Sequence, residues 1–219
     1  MTLKRESLSC IAFDCDSTLS TLEGIDELAA RAGCEADIAP LTAAAMDGRL
    51  AIEEVYAKRL EILKPGRADL AWLGQRYIET IVDGAPQAIA RLQAAGRVVC
   101  IVSGGLKAPV LMLAARLGVA PQYVRAVDVT IGADGSYAGF DAASPLTRSD
   151  GKAEIVRQLA ASFGPVALIG DGVTDVAARQ GGAVVIGFGG VARRAAVVAG
   201  ADYFIDGPAL TDVADYLLN

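Results

Sequence analysis

Ser9-Cys10-Ile11-Ala12-Phe13-Asp14-Cys15-Asp16-Ser17-Thr18 runs from apolar residues straight into two carboxylates. The run from Ser9 to Phe13 is short and unbroken by charge, which reads as a strand buried on both faces in a parallel sheet. Such a strand delivers Asp14 at its carboxyl end. Acids at the end of a buried strand are costly unless a cation or a reaction uses them. Alternate positions on an extended segment point to opposite sides. Asp14 and Asp16 can therefore hold different jobs, one as nucleophile and the other as general acid and base. The plainer alternative is a strand-end turn in which an aspartate caps a helix.

Outward from this stretch, strands and helices alternate. After residue 80 come a helix Pro86–Ala95, a strand Val98–Val102, a helix Ala108–Leu117, and a hairpin from Val124–Ile131 and Tyr137–Phe140 around Ala133-Asp134-Gly135-Ser136. A helix Lys152–Phe163, a strand Val166–Ile169, a helix Val173–Arg179, a strand Ala183–Ile186, a helix from Val191 and a strand Tyr203–Ile205 follow. Repeated strand–helix units predict an α/β fold with a doubly wound, mostly parallel, Rossmann-like sheet. Residues 24–78 differ: helical patterns at Ile25–Ala32, Ile52–Leu63 and Ala68–Ile78 are separated by breaks near Gly33, Pro40, Gly48 and Pro65-Gly66. The expected organisation is a catalytic core of residues 1–19 and 80–219 with a small helical cap, residues 20–79, inserted after the first strand. Gly24 and Gly84, near its two junctions, are expected hinge points.

In doubly wound sheets ligands bind at the carboxyl ends of the strands, so the loops after Phe13, Val102 and Ile169 should meet. The second loop is Ser103-Gly104-Gly105, whose hydroxyl and glycine-exposed amides suit an anionic oxygen. The third is Gly170-Asp171-Gly172-Val173-Thr174-Asp175, which puts two acids one helical turn apart and suits a hard cation with oxygen ligands. Lys152, in Asp150-Gly151-Lys152, opens a helix and carries its ammonium to an end already favourable for anions. Taken alone, each of these three has an ordinary reading as loop or surface.

The chain has 219 residues, 53% hydrophobic and 21% charged, with a net charge of −6. That composition suits a folded domain rather than a disordered one. It offers no basic face for nucleic acid, with Arg193-Arg194 only a short pair. No stretch is long and apolar enough for a membrane span. There is no histidine, so a Ser–His triad and a His-ligated zinc site are excluded, and proton transfer falls to carboxylates, lysine, tyrosine, cysteine or metal-bound water. The four cysteines, at 10, 15, 34 and 100, lack C-x-x-C spacing. With no leader-like N-terminus, they point to a reducing, cytoplasmic setting.

In combination, Asp-x-Asp-x-Thr, a Ser after the next long strand, a Lys, and Gly-Asp-Gly-x-x-Asp resemble the haloacid dehalogenase superfamily. The resemblance extends to its phosphoserine phosphatase branch through Glu23-Gly24-Ile25-Asp26-Glu27-Leu28-Ala29, Lys58-Arg59-Leu60, Tyr137-Ala138-Gly139-Phe140-Asp141 and Ile186-Gly187-Phe188-Gly189-Gly190. It implies hydrolysis of a small phosphomonoester, O-phospho-L-serine, through a phosphorylated Asp14, with Asp16 as proton donor and then acceptor. It further implies Mg²⁺ on Asp14, the Asp16 backbone carbonyl and Asp171. Asp175 and Thr174 would stand behind these, Asp175 holding metal waters or orienting Lys152. Ser103, the Gly104 amide and Lys152 would hold phosphoryl oxygens. Glu23 would pair with the substrate's amino group and Arg59 with its carboxylate, with Met46 and Gly105 completing the pocket. A homodimer is left open.

Two other readings use parts of the same sequence. Gly187-Phe188-Gly189-Gly190-Val191-Ala192 follows an apolar strand, with Asp206 beyond it, as in a dinucleotide fingerprint, but too little chain follows for the rest of such a domain. A phosphoenzyme could also pass its phosphoryl group to an alcohol such as homoserine.

Overall fold

The computed structural model describes residues 5–46 and 49–219. Six strands form one parallel sheet in the order β3-β2-β1-β6-β7-β8. They are β1 (Cys10–Phe13), β2 (Val98–Leu106), β3 (Val124–Val127), β6 (Val166–Gly170), β7 (Val184–Phe188) and β8 (Tyr203–Ile205). The remaining pair, β4 (Val129–Ile131) and β5 (Tyr137–Phe140), makes a small antiparallel hairpin. β1 is wholly buried at the centre, with Phe13 in register with Ile101 of β2 and Ile169 of β6. Strands run outward from β1 to one edge, then resume on its other side with β6. This reversal of strand order beside β1 opens a crevice at the carboxyl ends, where the chain's first acidic stretch emerges.

Ten α-helices connect and cover these strands among the described residues. Five of them lie between β1 and β2, and the first four form a helical stretch of their own: α1 (Gly24–Ala32), α2 (Glu35–Met46), α3 (Ile52–Leu63) and α4 (Arg67–Glu79). α1 packs on the other three, and α4 packs on α6 (Lys107–Arg116) of the sheet region. Gly74 permits that last approach, since a β-carbon there would meet the Met112 side chain. A single antiparallel bridge, Ser20 to Ile81, ties the start of this helical stretch to its end. The other helices are α5 (Ala85–Ala94), α7 (Gly151–Phe163), α8 (Val173–Ala177), α9 (Ala195–Gly200) and α10 (Thr211–Leu218).

Several elements depart from sequence expectation. Pro40 does not break the chain but lies inside α2. Its ring costs the helix one hydrogen bond, to the carbonyl of residue 36, which the packing of buried Ile38 and Thr42 tolerates. β2 continues through Ser103-Gly104-Gly105 to Leu106, with its pairing to β3 irregular there. The run Val124–Ile131 divides: its first half joins the main sheet as β3, and only its second half makes the hairpin with β5. The helix expected from Val191 starts at Ala195 instead. The dinucleotide reading loses its helix-opening loop as a result. Gly187 and Gly189 are instead accounted for by the Phe204 ring packed against them.

Candidate active site

Asp14 continues β1 by one residue, its amide bonded to the Ile169 carbonyl at 2.8 Å. The three anticipated loops meet around it. Lys152, second residue of α7 and buried, reaches Asp14 Oδ2 at 2.8 Å and Asp175 Oδ1 at 2.5 Å. Burial alone would push the Lys152 ammonium down, but Asp14 and Asp175 outweigh it and hold the group charged. Asp175 also accepts the Gly172 amide at 2.9 Å through Oδ2. Its carboxylate fills the space where a β-carbon at Gly170 would stand, which is why the strand ends in glycine.

One carboxylate oxygen from each of Asp14, Asp171 and Asp175 falls within 4.8 Å of the others, all three residues buried. Hard oxygen donors at that spacing suit a divalent cation such as Mg²⁺. Burial, then the charge of Asp14, raises Asp171 to about 8 and Asp175 to about 7. Three acids this close cannot all ionise without added positive charge, so the donor set fits a cation. Thr18 donates to Asp171 Oδ1 at 3.3 Å, and Arg194 to Asp171 Oδ2 at 3.0 Å.

Asp16 stands apart from that triad. Its Oδ1 accepts the Gly24 amide at 2.7 Å and the Tyr77 hydroxyl at 2.6 Å. Burial, then Asp14, raises it to about 6, so near neutrality it exchanges a proton readily. Ser17 next to it adopts φ +50°, a left-handed turn uncommon outside glycine. Its hydroxyl donates to Glu23 Oε1 at 2.8 Å, and Arg194 reaches the same oxygen at 3.1 Å. Burial, then Asp16, raises Glu23 to about 8.

Ser103 is fully buried, and its Oγ accepts the Gly105 amide at 2.9 Å. Tyr56 of α3 donates to the Gly104 carbonyl at 2.9 Å. Arg59, one turn further along α3, is buried with its Nε unpartnered. Its Nη1 donates to Thr42 at 3.4 Å, and its guanidinium lies 5.7 Å from the centre of the Tyr56 ring. A single cleft is lined by Asp14, Asp16, Glu23, Arg59, Gly104, Gly105, Lys152 and Thr174, with Ile25, Leu28, Ile52, Leu73 and both tyrosines among its apolar walls. Every anticipated residue therefore lies in or against one cleft, save Met46. Met46 closes α2, but its side chain lies outside the described residues.

Sequence reading missed Tyr56, Tyr77 and Arg194. Tyr56 carried a signal, being three residues before Arg59 and so on its face of the helix. Tyr77 looks like any aromatic on an apolar helix face. Arg194 looks like a surface basic residue until the fold carries the loop after β7 back to Asp171.

Comparison with known proteins agrees with this geometry. The haloacid dehalogenase-like hydrolase family model matches residues 11–179. The chloroplastic phosphoserine phosphatase of Arabidopsis thaliana is 36% identical over 203 residues, 91% of this chain and 69% of the relative. The Mus musculus phosphoserine phosphatase is 34% identical over 201 residues, 91% of this chain and 89% of the relative. A solved phospho-aspartyl intermediate analogue of phosphoserine phosphatase superposes with TM-score 0.80 at 28% identity, covering 96% of this chain and 99% of the other. With the acidic loops meeting as that architecture requires, the chain belongs to the haloacid dehalogenase-like hydrolases, in their phosphoserine phosphatase family of phosphomonoester hydrolases.

Proposed function

We propose that the protein hydrolyses O-phospho-L-serine to L-serine and phosphate through a phosphorylated Asp14. One observation carries the substrate: the cleft that holds Asp14 and Lys152 also presents the Glu23 carboxylate and the buried, unpaired edge of the Arg59 guanidinium. A ligand with a phosphate, an ammonium and a carboxylate complements all of these charges. Leaving Arg59 Nε buried without an acceptor is unfavourable by about 1–3 kcal/mol, which a ligand carboxylate relieves. Glu23, raised to about 8 in the empty cleft, would ionise against an ammonium.

In this reading Asp14 attacks phosphorus while Lys152, Ser103 and the Gly104 amide hold phosphoryl oxygens. Asp16 gives its proton to the departing serine oxygen and later takes one from the attacking water. Asp14, Asp171 and the Asp16 backbone carbonyl would hold Mg²⁺, with Asp175 and Thr174 behind them. The bound cation offsets the repulsion between carboxylate and phosphate, which is much of what phosphoryl transfer needs. Residues 20–79 act as a cap that selects the substrate. The four cysteines are free thiols, in keeping with a reducing compartment such as the cytoplasm. No helix among the described residues is long and apolar enough to cross a membrane.

The test is phosphate release from O-phospho-L-serine with Mg²⁺, against 4-nitrophenyl phosphate. Asp14→Asn should abolish release from both. Arg59→Ala should lower kcat/KM for phosphoserine by roughly a hundredfold, a charge-assisted pair lost, while lowering that for the aryl ester far less. Equal losses would refute the substrate assignment, and turnover by Asp14→Asn would refute the phosphoenzyme.

A further inference from the structure

We propose that Tyr77 is a positioning residue for the proton that Asp16 donates, holding Asp16 by Oδ1 so that the proton resides on Oδ2, toward the phosphate loop. The proposal rests on the assignment of Asp14 as nucleophile and Asp16 as acid. Tyr77 belongs to α4, within the helical stretch between β1 and β2, and its ring is among the largest fully buried side chains. Packing alone explains the ring but not the hydroxyl, which points out of the apolar wall to Asp16 Oδ1 at 2.6 Å. The Gly24 amide donates to that same oxygen at 2.7 Å. Residue 24 accommodates this: a β-carbon there would collide with the Tyr77 hydroxyl, so only glycine lets both donors reach one atom. The contact thus gives Gly24 a structural reason of its own.

The two carboxylate oxygens of Asp16 become unequal. Oδ1 accepts two strong hydrogen bonds and is the poorer seat for a proton. Oδ2 accepts none among the described residues, and it lies 3.2 Å from where a β-carbon at Gly105 would be. That is the side of Ser103 and the phosphoryl site. In the first half-reaction an Asp14 oxygen bonds to phosphorus and the ester P–O bond breaks with its electron pair going to the departing oxygen. That oxygen takes the proton from Asp16 Oδ2. Asp16 is left a carboxylate, and the Tyr77 and Gly24 donors stay on Oδ1 to stabilise the new charge.

Such a role depends on how basic the leaving group is. A strongly basic alkoxide or phenolate needs the proton in the transition state, whereas 4-nitrophenolate leaves with little help. Tyr77→Phe keeps the ring and removes only the donor. The experiment measures kcat/KM, which reports the first half-reaction, for 4-nitrophenyl phosphate, phenyl phosphate and O-phospho-L-serine, in wild type and Tyr77→Phe, with melting temperature as a check on folding. The loss in Tyr77→Phe should be about fivefold larger for phenyl than for 4-nitrophenyl phosphate, and about tenfold larger for phosphoserine. Equal losses across the series would overturn the proposal and leave Tyr77 a packing residue. The comparison of the two aryl esters does not depend on the natural substrate. If wild type ignored phosphoserine, the substrate reading would fall while the test of Tyr77 still stood.

Discussion

Arg194 donates through Nε to Asp171 Oδ2 at 3.0 Å and through Nη2 to Glu23 Oε1 at 3.1 Å, joining two acids that serve different ends of the cleft. Asp171 belongs to the triad suited to a divalent cation, and without such an ion Arg194 supplies part of the positive charge. Removing one partner of a partly buried pair costs about 2 kcal/mol, between the exposed and fully buried cases. Arg194→Gln should therefore lower the melting temperature of the metal-free protein by about 4–8 °C. Saturating Mg²⁺ should recover most of that loss, because the cation then answers Asp171. A scan of both proteins with and without Mg²⁺ decides the matter, and an unchanged metal-free melting temperature would refute the role. Asp14, Asp16, Asp171, Asp175 and Lys152 could be singled out from sequence because each sits at a strand end or helix start, whereas Glu23 stood out only through the family resemblance. Arg194 and Tyr77 did not stand out, since each gains its meaning only through a contact with a residue far off in the chain.

At the scale of elements, α3 is fastened to the sheet region at two points. Tyr56 bonds the Gly104 carbonyl, and Glu53 accepts both the amide and the hydroxyl of Ser149 at 2.9 and 2.7 Å. Ser149 in turn accepts the Ile52 amide at 3.1 Å, capping the start of the helix. These bonds hold α3, which carries Arg59, against the loops at the carboxyl ends of the sheet. Glu53→Ala removes the outer clasp at an exposed position, a loss of about 1 kcal/mol. Amide exchange in residues 52–63 should then quicken about fivefold, with that of β1 unchanged, as hydrogen-exchange mass spectrometry would read. No change in α3 would mean the clasp bears no load. The boundaries of α1, α3 and α4 were close to legible from apolar spacing and glycine stops. α2 was not, because a proline reads as a break while tertiary packing overrides the one lost bond. The division of Val124–Ile131 was equally hidden, as valines run through both halves and only Asp128 stands between them.

For the whole molecule, the charge stored in the cleft links stability to pH and to metal. Asp16 at about 6, Asp175 at about 7, and Asp171 and Glu23 at about 8 all stand above the ordinary carboxylate value near 4. Between roughly pH 4 and 8 the folded protein thus keeps protons that the unfolded chain has already lost. Stability changes with pH in proportion to protons bound unfolded minus folded, which is negative across this window. Metal-free protein should accordingly melt highest near pH 5 and lose several degrees by pH 8. A divalent cation acts oppositely, since it binds the ionised acids and competes with their protons. With saturating Mg²⁺ the decline should flatten or reverse, so the gap between the two melting curves widens as pH rises. Melting temperatures at pH 5, 6, 7 and 8, with Mg²⁺ and with chelator, test this. A metal-free melting temperature that climbs from pH 5 to 8 would show that these acids ionise freely in the fold. The crowding of Asp14, Asp171 and Asp175 would then not be what calls the cation in.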